Sequence, residues 1–92
     1  MQNQQIADVF NEVADLLEIQ GANSFRVRAY RNGARTLENL SESVADLMVL
    51  PGSGVEQLDG IGKDLAAKIK VVVETGQLPQ LEELRQQVPR GG

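Results

Sequence analysis

The stretch Leu58-Asp59-Gly60-Ile61-Gly62-Lys63 decides how the rest of the chain is read. Two glycines one residue apart stand between two segments whose apolar residues follow helical spacing. The backbone can therefore turn sharply and take φ > 0 where the turn requires it. Gly-x-Gly also lets a rod-like ligand approach the main chain with no Cβ in the way. The amides of Gly60, Gly62 and Lys63 fall at the start of the following helix. There, unpaired N–H groups and the helix dipole favour an anion such as a phosphate. A grip of that kind needs no positive net charge. The alternative is a plain helix–turn–helix corner that uses glycine for geometry alone. A dinucleotide-binding turn is excluded, because it needs a preceding strand and a third glycine three residues on, where Leu65 stands.

Downstream of the turn, Leu65, Ala66, Ile69, Val72 and Val73 share one helical face that Gly76 ends. The run Ile69-Lys70-Val71-Val72-Val73 has strand composition, so a strand is the rival reading. The single face and the glycine at its end favour the helix. Pro79 starts a last helix carrying Leu81, Leu84 and Val88.

Upstream, Val55 to Leu58 is one short turn at most. Before it, Ser41 opens a helix with Val44, Leu47 and Met48, which Pro51-Gly52-Ser53-Gly54 stops. Asn23 or Ser24 caps a longer helix that runs to about Leu40. Ile6, Val9, Phe10, Val13, Leu16 and Leu17 predict an amphipathic helix over 4–19, with Asn3 as cap and Gly21 as end. No repeat, low-complexity tract or alternating strand pattern occurs. The expected fold is all-α, a compact bundle of four to five short helices forming one domain over 1–92.

Ninety-two residues, 41% of them hydrophobic, suffice for a single core. Aromatics are only 3%, namely Phe10, Phe25 and Tyr30, so aliphatic residues must fill it. The chain has no Cys and no His, which removes disulfides, thiolate chemistry, Ser-His catalysis and the usual zinc sites. Chemistry is left to Lys, Tyr, Asp, Glu and the backbone. The longest apolar run, Leu47 to Leu50, is far short of the roughly 20 residues that span a bilayer. The first residues lack the basic start of a signal peptide. A soluble, intracellular protein without a membrane role is expected.

Net charge is −4, yet the charges are segregated. Residues 1–22 hold acids and no base, and 36–59 repeat that pattern. Arg26, Arg28, Arg31 and Arg35 fall in a window with no acid, and Lys63, Lys68 and Lys70 cluster after the glycines. Clustering of this kind, more than the total, is what can bind an anion. Arg28, Arg31 and Arg35 lie within about 60° on a helical wheel, as a solvated stripe would. Arg26 projects instead on the side of Ala29 and Tyr30, where it needs a partner or a cleft. An acid of the first helix is the bland choice of partner. Lys68 lies about 40° from Val72, on the border of the apolar face. Asp64, four residues before it, can pair with it and hold it charged. A snorkelling, solvated Lys68 is the alternative.

Leu58 to Ile69 closely resembles the helix-hairpin-helix motif of DNA repair proteins. Further matches come at Ile6-Ala7-Asp8-Val9-Phe10, Phe25 to Arg31, Ala34-Arg35-Thr36-Leu37 and Glu74 to Pro79. With these, the whole chain is similar to the N-terminal domain of family X DNA polymerases, the DNA polymerase beta-like group. The bacterial members are the nearest in pattern. The Ala29-Tyr30-Arg31 segment at its distance before the hairpin narrows the match from repair proteins at large to that family.

The resemblance implies non-sequence-specific binding of gapped or nicked DNA at a 5′-phosphate, in gap or base excision repair. The implied DNA-binding residues are Gly60, Ile61, Gly62, Lys63, Arg26, Tyr30 and Lys68. Some members also remove a 5′-deoxyribose phosphate through a Schiff base, and Lys68 matches that lysine, with Tyr30 placed to move a proton. Positions that are basic in the beta-type members are Glu56, Gln57, Asp64 and Gln80 here, which weakens the case for a lyase more than that for backbone binding. Family hairpins can hold a sodium or potassium ion on main-chain carbonyls, here those of Glu56, Leu58 and Ile61. No other cofactor and no side-chain metal site is implied. The chain has no Asp-x-Asp pair to hold two magnesium ions, so it should not synthesise DNA alone. Polymerase domains would follow Gly92 in a longer parent, and the setting would be the cytoplasm, at the nucleoid. A helical protein-interaction domain without a DNA role is the alternative that the acidic balance favours.

Overall fold

The computed structural model describes residues 2–48, 58 and 60–87. Five helices occupy them: α1 (Asn3–Ile19), α2 (Ser24–Asn39), α3 (Val44–Met48), α4 (Lys63–Thr75) and α5 (Pro79–Gln87). No strand occurs among the described residues, so Ile69–Val73 is helix. Burial decides that rivalry, since Leu65, Ala66, Ile69 and Val72 all turn into the core from one face of α4.

The helix ends follow from local chemistry. Gly21 (φ 74) donates its amide to the Glu18 carbonyl at 3.0 Å, and Ala22 donates to Leu17 at 2.9 Å. That pair of bonds is a Schellman closure, satisfying carbonyls that α1 would leave open. Asn23 caps α2, its side-chain oxygen accepting from the Phe25 amide at 2.7 Å. Gly76 (φ 78) ends α4 with its amide on the Val72 carbonyl at 2.7 Å.

Asn3 departs from expectation. Gln2 takes the capping position of α1, with its amide held by the Gln5 side chain at 2.8 Å. Asn3, freed from that task, bridges to α3: its Oδ1 accepts from the Val44 amide at 2.8 Å, and its Nδ2 donates to the Glu42 carbonyl at 2.7 Å. A short helix thus has its first amide satisfied from across the molecule. Ser43, not Ser41, supplies the carbonyl that begins α3. The expected stop at Pro51–Gly54, the short turn at Val55–Gln57 and Val88 lie outside the described residues.

Helices α1 and α2 pack antiparallel, with Arg31 against Asp15 and Glu18 and Asn11 against Glu38. Between them Ile6, Phe10, Val13, Ala14 and Leu17 meet Tyr30, Ala34 and Leu37. Phe10 and Tyr30 meet edge to face at 5.7 Å and 79°, a favoured arrangement of ring quadrupoles. Helix α5 closes the bundle over Leu81 and Leu84. Its Arg85 binds both oxygens of Glu12 on α1, at 2.6 and 2.7 Å. Val44 anchors α3 in the same core. No buried polar side-chain atom is left unpaired among the described residues.

Candidate nucleic-acid interface

The glycine turn is held in place by α2. Gly60 sits at φ 77 with its Cα against Asn32, where an added Cβ would stand 3.4 Å from the Asn32 Cβ. Gly33 is buried in the middle of α2, and an added Cβ there would meet Leu65 Cδ1 at 3.0 Å. The Gly60 carbonyl would stand 3.9 Å from that Cβ. Glycine at 33 is therefore what lets the hairpin and the start of α4 settle onto α2. Asn32 and Gly33 are supporting residues that the motif itself does not reveal. The available signal was a glycine inside a helical pattern, which costs about 1 kcal/mol relative to alanine and so asks for a packing reason.

Gly62 is different. It is exposed at the capping position of α4 with φ −91 and ψ −171, an extended conformation open to any residue. An added Cβ would meet nothing within 4 Å. No side chain caps the helix there. The Gly62 carbonyl accepts from the Ala66 amide at 2.9 Å, and the amides of Gly62, Lys63, Asp64 and Leu65 donate to no group among the described residues. The turn thus presents a row of N–H donors with no partner among the described residues, and the positive end of the helix dipole lies behind them. Lys63 is exposed beside them. Ile61, between the glycines, is buried and pins the turn to the core. Its amide donates to the Leu58 carbonyl at 3.1 Å.

The other predicted residues are placed as follows. Lys68 is on the border of the core, its side chain 21% exposed, with Nζ 2.9 Å from Asp64 Oδ1. Tyr30 is buried, and its hydroxyl donates to Gln80 Oε1 at 3.1 Å. Gln80, at a position where the resemblance implies a base, serves here as Tyr30's partner. Arg26 is exposed, which corrects the expectation of a cleft or an acidic partner. The inward stripe of α2 runs from Tyr30 back to the half-buried Val27, so Arg26 is left at its edge in water. The arginine that pairs with α1 is Arg31, bound to Asp15 at 2.8 Å and to Glu18 at 2.9 Å. These carboxylates hold the Arg31 guanidinium's pKa above its ordinary value, chiefly through the Asp15 hydrogen bond. No hydrogen bond or ion pair joins Arg26, Tyr30 and Lys68 to one another among the described residues. Phe25, 74% exposed beside Arg26, presents an aromatic face to solvent. Of the three carbonyls expected to hold a cation, Glu56 lies outside the described residues, and Leu58 already accepts from Ile61.

No cluster of three or more metal-binding carboxylates occurs among the described residues. No described helix is long and apolar enough to cross a membrane.

Residues 1–78 match the model of a family described as a helix-hairpin-helix domain. The chain is 31% identical over 91 residues to the DNA polymerase/3′-5′ exonuclease PolX of Bacillus subtilis (strain 168). That alignment covers 99% of this chain and 15% of the relative. It falls in the relative's N-terminal region. With a five-helix fold, a positive-φ glycine turn and a match across most of its length, the chain belongs to the helix-hairpin-helix domain family.

Proposed function

We propose that this domain binds DNA through its backbone, without reading sequence, and grips a 5′-phosphate at a gap or nick. The observation that carries the proposal is Gly62. Neither backbone conformation nor packing among the described residues asks for glycine there, yet the amides around it donate to no group among those residues. Close approach by an external anionic strand supplies the missing reason. Lys63 and Arg26, both exposed, add cations for phosphate. Phe25 offers a surface on which an unpaired base at a gap can stack. The relative's name supports a polymerase context, with this domain holding DNA for domains elsewhere in a longer chain. A sodium or potassium ion on the Leu58 and Ile61 carbonyls belongs to the same reading. The Ile61 carbonyl accepts no hydrogen bond among the described residues and is a hard donor suited to such an ion.

The test is titration of a labelled gapped duplex, with and without a 5′-phosphate, at about 50 mM salt, where phosphate contacts are strongest. Tighter binding of the phosphorylated gap is expected, and Gly62→Arg should weaken it on the order of tenfold, about 1.4 kcal/mol. Equal binding by wild type and Gly62→Arg would remove the hairpin from the account. No binding at all would leave a protein-interaction domain.

A second reading, a 5′-deoxyribose-phosphate lyase, is favoured by the sheltered stem of Lys68. The Lys68 amine would add to the C1′ aldehyde of the opened sugar and, with loss of water, form an iminium. Removal of a C2′ proton would then expel the 3′-phosphate of that sugar by β-elimination. Borohydride should trap a protein–DNA adduct that Lys68→Ala abolishes, and Asp64→Asn, which frees the amine from its ion pair, should increase the yield.

A further inference from the structure

Beside the hairpin, α2 carries a groove of about 350 Å³ lined by Arg28, Arg31 and Arg35 together with Glu18, Ser24 and Asn32. Its one carboxylate, Glu18, is already engaged by Arg31. Arg28 and Arg35 are exposed and form no ion pair among the described residues. Helical spacing places Arg28 one turn before Asn32 and Arg35 one turn after it, on the same face. Asn32 is also the residue that abuts Gly60. The two free guanidiniums therefore flank, along α2, the point at which the hairpin docks. Their Cα atoms stand about 10 Å apart along the axis, the rise of about three nucleotides of a DNA strand.

We propose that this groove is a second DNA contact, in which Arg28 and Arg35 each neutralise one backbone phosphate of the duplex beside the strand end held at the hairpin. It rests on the DNA-binding reading above and extends it. The hairpin amides discriminate the 5′-phosphate, while the groove supplies affinity that is indifferent to the end. Arg31 is withheld from this role by Asp15 and Glu18 and instead fixes the α1–α2 register that shapes the groove.

The experiment measures the slope of log K against log salt between about 50 and 200 mM for gapped duplexes with a 5′-phosphate or a 5′-hydroxyl, with folding checked by circular dichroism. Arg28→Gln and Arg35→Gln should each make the slope shallower by about 0.9, and the double variant by about twice that. The preference for the phosphorylated end should persist in both. Gln86→Glu changes the net charge by the same amount at an exposed site on α5 outside the groove and should leave the slope nearly unchanged. A double variant with the wild-type slope would overturn the groove and leave the hairpin reading standing. So would an equal slope loss in Gln86→Glu, because the effect would then be that of overall charge. Absence of any binding by the wild type would overturn both readings.

Discussion

Three glycines near the turn answer to three different demands. Gly60 is required by backbone conformation, because φ 77 is unfavourable for any residue with a Cβ, and Asn32 stands close as well. Gly60→Ala should cost about 1–2 kcal/mol in chemical denaturation. Gly62 is required by neither, so Gly62→Ala and Gly62→Arg should cost no more than a change of cap residue does, about 1 kcal/mol at most. Loss of DNA binding in Gly62→Arg with no greater loss of stability is the signature of a contact surface, and a variant destabilised further would contradict it. Tyr30→Phe removes only the hydrogen bond to Gln80 and should cost about 0.5–1.5 kcal/mol, read from the shift of the denaturation midpoint.

At the scale of elements, the seam between α2 and the start of α4 positions the hairpin. Gly33 lies under Leu65, and there is no room for a branched side chain. Gly33→Val should destabilise by about 1–3 kcal/mol through overpacking and also weaken DNA binding, although residue 33 is buried and touches no ligand. A variant that loses stability and keeps full affinity would show that the hairpin docks independently of α2. The short α3 illustrates the opposite dependence. Five residues are too few to sustain a helix alone, and its first amide is held by Asn3 from the start of α1. Asn3→Ala should therefore cost about 1 kcal/mol, as loss of a cap does, although Asn3 lies 41 residues before the amide it holds.

Across the whole molecule, Arg85 and Glu12 tie the last described helix to the first. The Arg85 hydrogen bonds hold the Glu12 carboxyl below the usual value of 4.5, with burial opposing them in part. A carboxyl lowered in the folded state contributes stability that is fully present above its ordinary range and is lost as pH falls through the lowered value. Acid should therefore weaken the wild type progressively below about pH 4.5, and Glu12→Gln should flatten that part of the curve, as followed by thermal melts. The pair is partly exposed, so the effect should also shrink with salt.

Much of this architecture was legible along the chain. The apolar spacing of α1, α2 and α4, the glycines that end α1 and α4 and the cap at Asn23 all act within a turn or two of their own position. Neighbours in sequence therefore suffice to define them. The hairpin was legible for the same reason. Partners were not. Arg26 and Arg31 lie five residues apart on one helix, and which of them meets an acid depends on the register of α1 against α2. Asn3 holds a helix distant in sequence, and Gly33 matters only because Leu65 comes to rest on it. The groove between Arg28 and Arg35 gains its significance from Asn32 touching the turn. The sequence by itself determined the helices, their ends and the chemistry of the exposed amides, because these follow from local periodicity and backbone freedom. Only the tertiary structure decided which charges are engaged and which are left exposed, because that depends on side chains brought together from remote parts of the chain.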